Sequence, residues 1–383
     1  MSINRASEIT VGIIGGGQLA RMTAMAAYRL GINIAVLDPD INSPASQIVQ
    51  QRVVGSLNDI SKLRELAEAS DLITLENEFV DAPLLEQIES IGKAVYPTSR
   101  TVGLIQDKLT QKESLASNGI NVPRFDKVSY SNEIIDTGNR LGWPLILKVR
   151  RNAYDGRGNE LINGPDEVRF AWNNLNGDSQ NLMAEEFVKF NKELAVMVVR
   201  NKEGETTTYP VVETIQKDHI CNIVKAPAQV NDEIIKNASD MAKSAIEVID
   251  GVGVFGIEMF LLDDGQVMIN EIAPRPHNSG HYTIEACFTS QYENHLRAIL
   301  GYPLGSTEMV KPSAVMVNLL GDRQGNSVVQ GIDEALMITG VNLHIYSKKE
   351  TRPNRKMGHI TVLGQNMEES LDKAVKAASL ISF

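Results

Sequence analysis

Short apolar runs alternate with helical patterns from the start of the chain to about residue 105. The runs are rich in β-branched and aliphatic residues, and apolar positions recur at helical spacing between them. Buried strands separated by helices are typical of a parallel sheet covered on both faces. The pattern therefore predicts an N-terminal parallel α/β domain over residues 1–105. Its predicted strands cover 9–14, 32–37 and 72–75, and its first helix covers about 18–30.

The pattern changes after Val122, where polar loops begin to separate the apolar runs. We interpret residues 120–190 as a small α+β unit. Residues 106–119 together with 191–383 then form a larger unit with a mixed C-terminal part. In the small unit, a strand is predicted over 144–149, a glycine-rich polar loop over 150–159, and two further strands within 182–199.

The larger unit carries the clearest local signals. Asn231 can cap a helix whose first turn is acidic, which favours a helix over about 232–249. Asp264-Gly265 lies between two apolar runs and predicts a hairpin with a two-residue turn. The remaining predicted elements are strands over 254–262, 266–272, 314–319, 344–346 and 359–363, a helix over about 102–116 ending at Asn118-Gly119, and a closing helix.

Composition narrows the class of protein. A chain of 383 residues is long enough for two or three domains, and 43% hydrophobic and 22% charged residues are ordinary for a globular protein. The net charge of -11 disfavours binding to a nucleic acid backbone. Cys221 and Cys287 lie outside any zinc or disulfide spacing, and no charged leader or long apolar span is evident. We therefore expect a cytoplasmic protein with neither a nucleic acid nor a membrane as partner.

A glycine-rich turn follows the first predicted strand. Gly15-Gly16-Gly17 opens a helix and Asp38 ends the next strand, which together match the dinucleotide-binding fingerprint. Glycines at a helix N-terminus bring backbone N–H groups close to an anion. The same glycines can bind a substrate phosphate or merely permit close packing of the helix on the strand. The motif alone therefore leaves an NAD-dependent oxidoreductase, a phosphate site and a packing role open.

Two glutamates face each other in the predicted hairpin. A two-residue turn at Asp264-Gly265 places Glu258 directly opposite Glu271. Opposed like charges destabilise an antiparallel pair, and both residues lie in apolar strands. Carboxylate oxygens are ligands that Mg²⁺ accepts while substrate phosphates complete its shell. The hairpin thus predicts a magnesium site at Glu258 and Glu271. The alternative is that one glutamate is solvated at a sheet edge or pairs with Arg275 or with a lysine.

Several motifs resemble those of a known enzyme family. The strand and loop from Leu145 to Gly158, the segment Glu185 to Val188, Glu193 and the acidic hairpin are similar to the ATP-grasp arrangement. More narrowly, the segments Gly15 to Met22, Glu76 to Glu78, Asn270 to His281 and Arg355 to His359 resemble N5-carboxyaminoimidazole ribonucleotide synthases. The resemblance implies an ATP-grasp fold, with the N-terminal α/β domain, a small lid domain and a C-terminal mixed domain. It also implies a ligase that carboxylates 5-aminoimidazole ribonucleotide in purine biosynthesis.

The resemblance implies which residues bind ATP, with Mg²⁺ as the metal. Lysine side chains would neutralise phosphates, the glycine-rich loop would close over the triphosphate, and the strand leaving the small domain would receive the adenine. The implied ATP ligands are Lys108, Lys148, Ala153, Tyr154, Asp155, Gly156, Arg157, Gly158, Asn159, Glu185, Glu186, Phe187, Val188, Glu193, Gln216, Asn270 and Glu271. A solvated surface position is the alternative for Lys108, which lies on an amphipathic helix.

For the ribonucleotide, the resemblance implies contacts from three segments. They are the glycine turn, the glycine-rich loop over 150–159, here called the lid loop, and the basic loop of the tail, which Lys348 and Arg355 flank. The implied substrate ligands are Gly17, Gln18, Leu19, Glu76, Tyr154, Asp155, Arg157, Lys348 and Arg355. Arg275, His277 and Asn278 are the implied holders of carboxyphosphate, formed from bicarbonate and ATP. Asp155, the fourth implied catalytic residue, could accept a proton or a hydrogen bond from the amine. Attack by the amine on carboxyphosphate, or on CO₂ released from it, stays open.

Four positions depart from the family pattern. Ala153 stands where glycine is common, Gln216 where histidine is common, and Ser347 and Asn354 replace glycines beside the basic loop. The last two can adopt the left-handed backbone that glycine favours. The rival interpretations are a sister ligase for another acid or amine, an oxidoreductase, and a binding module without catalysis. Because related enzymes pair through their larger domains, we also expect a homodimer.

Overall fold

The N-terminal part of the protein is a parallel sheet covered by helices. A computed structural model describes residues 8–152 and 158–383. The first sheet has the strand order β3-β2-β1-β4-β5 and is parallel throughout, as the sequence predicts. Its elements are β1 Thr10–Ile14, α1 Gln18–Arg29, β2 Asn33–Asp38, β3 Gln51–Val54, α2 Ile60–Glu68, β4 Leu72–Leu75, α3 Ala82–Ser90 and β5 Ala94–Tyr96.

Two helices replace the single helix predicted over about 102–116, so that prediction is wrong. They are α4, Ser99–Gln106, and α5, Lys108–Ser117. Asp107 separates them because its backbone is extended and its carboxylate accepts hydrogen bonds from the N–H groups of Leu109 and Thr110. An N-cap of this kind starts a new helix inside a continuous amphipathic pattern. The second helix ends before Gly119, whose φ is +75°, as predicted.

A four-stranded antiparallel sheet forms the small unit. Its strand order among the described residues is β6-β9-β7-β8. Leu145, Leu147 and Trp172 belong to its own hydrophobic core. The elements are β6 Phe125–Val128, α6 Ser131–Leu141, β7 Leu145–Val149, β8 Asn159–Ile162, α7 Val168–Asn174 and β9 Leu182–Glu186.

The larger unit is built on a nine-stranded sheet. The main path in the described part of the chain is β15-β14-β10-β12-β13-β16-β20-β18, and β11 pairs with β10. The C-terminal strands thus continue the same sheet through the antiparallel pair of β13 and β16. Its strands are β10 Lys192–Arg200, β11 Thr206–Thr208, β12 Val212–Lys217, β13 Ile220–Ala226, β14 Gly253–Leu261, β15 Val267–Ala273, β16 Ser313–Leu320, β18 Val341–Ile345 and β20 Lys356–Gly364. A separate two-stranded ladder pairs β17 Gly325–Asn326 with β19 Glu350–Thr351.

Helices cover this large sheet. They are α8 Asp232–Val248, α9 Thr283–Ala286, α10 Gln291–Leu300, α11 Ile332–Leu336 and α12 Met367–Ser379. Asn231 caps α8 by accepting the Ile234 N–H, which confirms the predicted start. Ala238, Ala242 and Ala245 form a buried stripe at helical spacing that packs in the core of the large unit. Within the described residues, no helix combines the length and apolar character that crossing a membrane requires.

The acidic hairpin differs from its prediction in the turn. Leu262 donates to Gln266 and Gly265 donates to Leu262, so the connection is the three residues Asp263, Asp264 and Gly265. Gly265 has φ +85°, the left-handed position expected in a three-residue hairpin loop. A β-bulge beside Glu258 then restores the pairing of Glu258 with Glu271. The predicted pair is confirmed, although the two-residue turn from which it was derived is wrong.

Candidate active site

Two carboxylates at the centre of the hairpin define the site. Glu258 and Glu271 are register partners on β14 and β15, and their side chains are 38% and 39% exposed. Lys108, at the first turn of α5, forms an ion pair with Glu271. The Nε2 atom of His277 lies 3.6 Å from Oε1 of Glu258. One glutamate therefore pairs with a lysine, as the alternative interpretation anticipated, while the other faces a histidine.

The two glutamates differ in their proton affinity. Burial, followed by the charges of Glu271 and Glu193, raises the pKa of Glu258 to about 7. Burial also acts to raise the pKa of Glu271, but the Lys108 ammonium outweighs it and the pKa is lowered. A carboxylate destabilised by a neighbouring carboxylate gains from a cation placed between them.

This donor set fits Mg²⁺ completed by phosphate oxygens. Mg²⁺ is usually bound through one or two carboxylates, several waters and substrate phosphates rather than by a cage of protein ligands. In the described ranges 8–152 and 158–383, no group of three or more His, Cys, Asp and Glu side chains is arranged to hold a metal ion. Glu258 and Glu271 would supply the two carboxylates, with waters and substrate phosphates as further ligands.

A buried ion triad links α5 to the small unit. Lys148 on β7 donates to Oε1 of Glu185 at 2.7 Å, and the Nζ atom of Lys112 lies 2.8 Å from Oε2 of the same carboxylate. Burial acts to raise the pKa of Glu185, but the two ammonium groups outweigh it and lower the pKa to about 2. Lys112 was not among the predicted residues. Its spacing of one helical turn from Lys108 is the signal that could have found it.

The segment expected to receive adenine leaves β9 toward β10. Glu186 accepts from Nε of Arg124 at 2.6 Å, and the Phe187 N–H donates to the Pro144 carbonyl. Phe187 is exposed and Val188 is half-buried. The Glu186 carboxylate and the Phe187 N–H are thus already bonded within the protein.

The expected ribose ligand lies on the neighbouring strand. Glu193, near the start of β10, is bonded by the side chain of Gln216, and burial raises its pKa. Gln216 therefore contacts this site although it departs from the family pattern. Asn270 stands at the bulge of β15. Ile269 and Ile272 on either side are fully buried, whereas Asn270 and Glu271 are not. Both polar residues therefore lie on the same face of the sheet, which we call the cleft face.

The glycine-rich loop connects β7 and β8. Its residues Ala153, Tyr154, Asp155, Gly156 and Arg157 lie outside the described residues. The flanking positions are clear, since Gly158 accepts the Val149 N–H and Asn159 is the register partner of Lys148. The loop therefore leaves the sheet next to the Lys148 ammonium.

The loop after β15 carries Arg275, His277 and Asn278. Arg275 makes a two-point contact with Glu78, through Nε at 2.5 Å and Nη2 at 3.0 Å. Burial lowers the pKa of His277 well below its usual range, so the imidazole is neutral. The carboxamide of Asn278 exchanges two hydrogen bonds with Asn318, so it is bonded to β16 rather than directed at Glu258 and Glu271.

Gln291 fixes this loop from behind and was also missed by the sequence analysis. Its Oε1 atom accepts the His277 N–H at 2.9 Å, and its Nε2 atom donates to the His277 carbonyl at 2.8 Å. Gln291, Asn318 and Glu78 act on the loop only through tertiary contacts, which explains why sequence patterns did not reveal them. Glu78 alone had a signal, because it stands in the Glu76-Asn77-Glu78 motif.

The predicted substrate ligands come from two ends of the chain. Glu76 covers the glycine turn so closely that a Cβ atom on Gly17 would lie 2.1 Å from its Oε1 atom. Gln18 and Leu19 begin α1 directly after this turn. The Nζ atom of Lys348 donates to the Lys356 carbonyl at 2.7 Å, and Glu76 lies within electrostatic range of Lys348.

The basic loop is preorganised. Burial, followed by the charge of Arg355, lowers the pKa of Lys348 to about 7. Arg355 donates to the Glu350 carbonyl. Ser347 and Asn354 have φ values of +57° and +67°, so both adopt the left-handed backbone that glycine favours.

The glycine turn does not offer a clear site for a dinucleotide pyrophosphate. The Gly16 N–H donates to Oδ2 of Asp38 at 2.7 Å, and Asp38 also accepts the Asp40 N–H. A carboxylate therefore occupies the backbone donor that a dinucleotide phosphate would need, and it adds negative charge there. The geometry supports the packing interpretation over NAD binding.

Three family models match consecutive parts of the chain. The ribonucleotide synthetase preATP-grasp domain matches residues 9–106, the ATP-grasp domain matches 113–292, and the phosphoribosylaminoimidazole carboxylase C-terminal domain matches 314–373. These ranges follow the N-terminal sheet, the small unit with the first part of the large sheet, and the C-terminal strands.

Individual proteins are similar over nearly the whole chain. The N5-carboxyaminoimidazole ribonucleotide synthase of Synechococcus elongatus is 41% identical, covering 97% of this chain and 93% of the relative. The phosphoribosylaminoimidazole carboxylase of Saccharomyces cerevisiae is 44% identical over 94% of this chain, which spans only 64% of that protein's length. A crystal structure of N5-carboxyaminoimidazole synthase from Aspergillus clavatus, in complex with ADP and 5-aminoimidazole ribonucleotide, has a TM-score of 0.89 at 39% identity and covers 97% of this chain and 98% of that one.

Proposed function

The chain belongs to the N5-carboxyaminoimidazole ribonucleotide synthases of the ATP-grasp superfamily, and from this membership we propose its reaction. The protein is an ATP-dependent ligase of purine biosynthesis. It carboxylates 5-aminoimidazole ribonucleotide with bicarbonate and releases ADP and phosphate. The single observation that carries the proposal is the opposed pair of Glu258 and Glu271, with Lys108 bound to Glu271.

Phosphoryl transfer to bicarbonate is the first step. A bicarbonate oxygen attacks the γ-phosphorus of ATP, the bond to the ADP oxygen breaks, and carboxyphosphate forms. Positioning and charge neutralisation dominate catalysis of such transfers. Lys108 and Lys148 supply positive charge at the phosphates. Glu258 and Glu271 would hold Mg²⁺, whose charge offsets that of the β- and γ-phosphate oxygens.

Carboxyphosphate is held by the loop after β15. The Arg275 guanidinium, fixed by Glu78, supplies a permanent positive charge, and the neutral His277 imidazole supplies a hydrogen-bonding group. The Asn278 carboxamide is engaged by Asn318, so in place of the expected contact with the intermediate we assign Asn278 to support of the loop. Donors fixed in advance of the reaction need no reorganisation when charge develops.

Carbamate formation is the second step. The exocyclic amine attacks the carboxyl carbon of carboxyphosphate, or CO₂ released from it, phosphate leaves, and the amine loses a proton. Asp155 in the lid loop is the proposed acceptor of that proton or of an amine hydrogen bond. Gly17, Gln18, Leu19 and Glu76 face the ribonucleotide, and Lys348 and Arg355 bind its phosphate. Closure of the lid loop, with Tyr154 and Arg157, excludes water from the labile intermediate.

ADP formation tests the proposal. ATP, Mg²⁺ and bicarbonate should give rapid ADP release only when 5-aminoimidazole ribonucleotide is added. Glu271→Gln should lower that rate at least about a hundredfold because a metal ligand is lost. Asp264→Asn, in the loop of the same hairpin, is the matched control and should retain wild-type activity. Wild-type turnover by Glu271→Gln would contradict the metal assignment, and ADP release with formate in place of bicarbonate would contradict the substrate.

Three further features belong to the same proposal. The three parts of the chain act as an N-terminal domain over 1–105, a lid over 120–190, and a large domain from 106–119 and 191–383. The protein forms a homodimer and works in the cytoplasm, where its two buried thiols remain reduced. Sedimentation analysis of the purified protein tests the dimer, and a monomer at micromolar concentration would contradict it.

A further inference from the structure

Lys112 is a buried lysine for which the reaction described above has no role. Its side chain and that of Glu185 are each only 3% exposed, and Nζ lies 2.8 Å from Oε2. Lys148 occupies the other oxygen of the same carboxylate at 2.7 Å. Burying an ammonium group costs free energy unless a partner compensates it. A carboxylate that already had Lys148 did not need a second buried lysine for neutrality.

The helix that carries Lys112 is attached to both sheets of the site. Its Gln111 exchanges two hydrogen bonds with Ile272 on β15, next to Glu271. Its N-cap Asp107 accepts two hydrogen bonds from Arg150 at the end of β7. Lys112 therefore lies on a helix that hydrogen bonds hold to both sheets, whereas Lys148 lies on a strand that leads directly into the lid loop.

The proposed function requires Lys148 to have two alternative partners. In the proposed function, Lys148 neutralises an ATP phosphate, yet the structure pairs it with Glu185. A lysine that turns toward a phosphate weakens its bond to the carboxylate. Removing one partner of a buried ion pair is strongly unfavourable when the remaining charge is left alone. Glu185 remains compensated here because Lys112 stays in place.

We propose that Lys112 is a positioning residue for ATP binding, serving as the permanent counter-ion of Glu185 so that Lys148 can turn from Glu185 to a nucleotide phosphate. The proposal rests on the proposed role of Lys148 as a phosphate ligand. Lys112 itself does not touch the nucleotide in this scheme. Among the described residues, Lys108 and Glu271 also lie within electrostatic range of the triad.

A double-mutant cycle between Lys112 and Glu185 tests this role. The dissociation constant of ATP with Mg²⁺ is measured by calorimetry for the wild type, Lys112→Met, Glu185→Gln and the double variant. Lys112→Met should weaken ATP binding about tenfold, and the same change should have an effect of no more than about twofold when Glu185 is already Gln. An equal penalty in both backgrounds would overturn the proposal, as would unchanged ATP binding in Lys112→Met.

The pH dependence separates this role from a general structural defect. Without Lys112, the transfer of Lys148 to a phosphate leaves Glu185 unpaired, and a proton then takes the place of the missing cation. Because burial lowers the pKa of Lys112 to about 8, the comparison is made below that value, where wild-type Lys112 is charged. The Lys112→Met penalty should therefore be larger at about pH 7 than at about pH 5.5, and ATP binding to this variant should take up a proton. A penalty that is the same at both pH values would contradict the counter-ion role.

Two controls complete the design. Lys236→Met removes a lysine that is 76% exposed and paired with Asp240, and ATP binding should stay within about twofold of the wild type. If Lys112→Met does not fold, Lys112→Arg keeps the charge and the double variant removes both charges, so the comparison with Glu185→Gln remains. ATP binding is measured without turnover. A wild type that binds ATP but forms no ADP with the ribonucleotide would refute the proposed function and leave the cycle interpretable.

Discussion

At the scale of single residues, the site places two carboxylates that repel each other side by side in the absence of ligands. Glu258 faces Glu271 across the ladder, and Glu271 forms an ion pair with Lys108. The cost of this arrangement appears in the pKa of Glu258, which burial and the neighbouring carboxylate raise to about 7. Functional sites commonly retain such groups because the same repulsion favours a cation between them.

This repulsion predicts a pH-dependent gain of stability in Glu258→Gln. Because the pKa of Glu258 in the folded protein lies above its ordinary value, the folded state binds this proton more tightly, and wild-type stability falls as pH rises from about 4.5 to about 7. The glutamine variant lacks this loss. In EDTA at about pH 8 it should be more stable by about 1 kcal/mol, a value kept small because the side chain is 38% exposed and solvent screens it.

Thermal melting of both proteins at about pH 5 and pH 8 measures the difference. The melting temperatures should nearly coincide at the lower pH and separate at the higher pH, with the variant melting later. Addition of Mg²⁺ and ATP should reverse the order at the higher pH, since the variant has lost a ligand. A variant that melts earlier than the wild type in EDTA at both pH values would contradict the repulsion.

At the scale of elements, the hairpin shows how one local irregularity positions the chemistry. The loop of Asp263, Asp264 and Gly265 is one residue longer than predicted, and the bulge at Asn270 compensates for it. The bulge also places Asn270 and Glu271 together on the cleft face, which a regular strand cannot do. The bulge, rather than the turn, is therefore the feature that the site requires.

Two deletions distinguish the turn from the bulge. Removing Asp264 leaves the two-residue loop Asp263-Gly265, a favoured hairpin connection, so turnover should stay within about twofold of the wild type. Removing Asn270 deletes the bulge and loses its polar side chain, so turnover should fall at least about tenfold. Steady-state ADP formation measures both. Equal activities of the two deletion variants would show that the bulge does not matter.

Sequence patterns predicted the elements that bury their own apolar residues. The parallel strands, α8 with its Asn231 cap, and the hairpin strands all carry local periodicity. The break at Asp107 was missed because the amphipathic pattern continues across it, and its cause is a cap together with the contact to Arg150. Local signals do not contain such tertiary contacts.

The candidate site follows the same division. Sequence motifs identified Lys148, Glu185, Glu258 and Glu271. The structure pairs β7, which carries Lys148, with β9, which carries Glu185, and it makes Glu258 and Glu271 register partners. Lys112 was missed although its spacing of one helical turn from Lys108 was a signal, and Gln291 and Asn318 were missed because each is an ordinary polar residue within its own helix or strand. Only the folded chain shows that each binds a residue of the site, namely Glu185, His277 and Asn278 in turn.

At the scale of the whole molecule, the site lies where the parts of the chain meet. Glu78 from the N-terminal sheet binds Arg275 of the large unit, and one small cavity is lined by Glu78, Lys108, Arg150 and Glu271. The C-terminal strands join the large sheet edge to edge, so Lys348 is held in the same body as Glu258. Substrates bound between these parts should therefore stabilise separate regions.

Hydrogen exchange with one ligand at a time follows from this arrangement. ATP with Mg²⁺ should protect amides of β7, β8 and the hairpin of β14 and β15, because Lys148, Glu258 and Glu271 lie there. The ribonucleotide alone should instead protect the glycine turn at 15–19 and the basic loop at 346–356, which carry its proposed ligands. Ligand binding slows exchange where it suppresses local opening, so the two patterns should be distinct. Protection of the glycine turn by ATP alone would assign that turn to the nucleotide and contradict the division of the site between the two substrates.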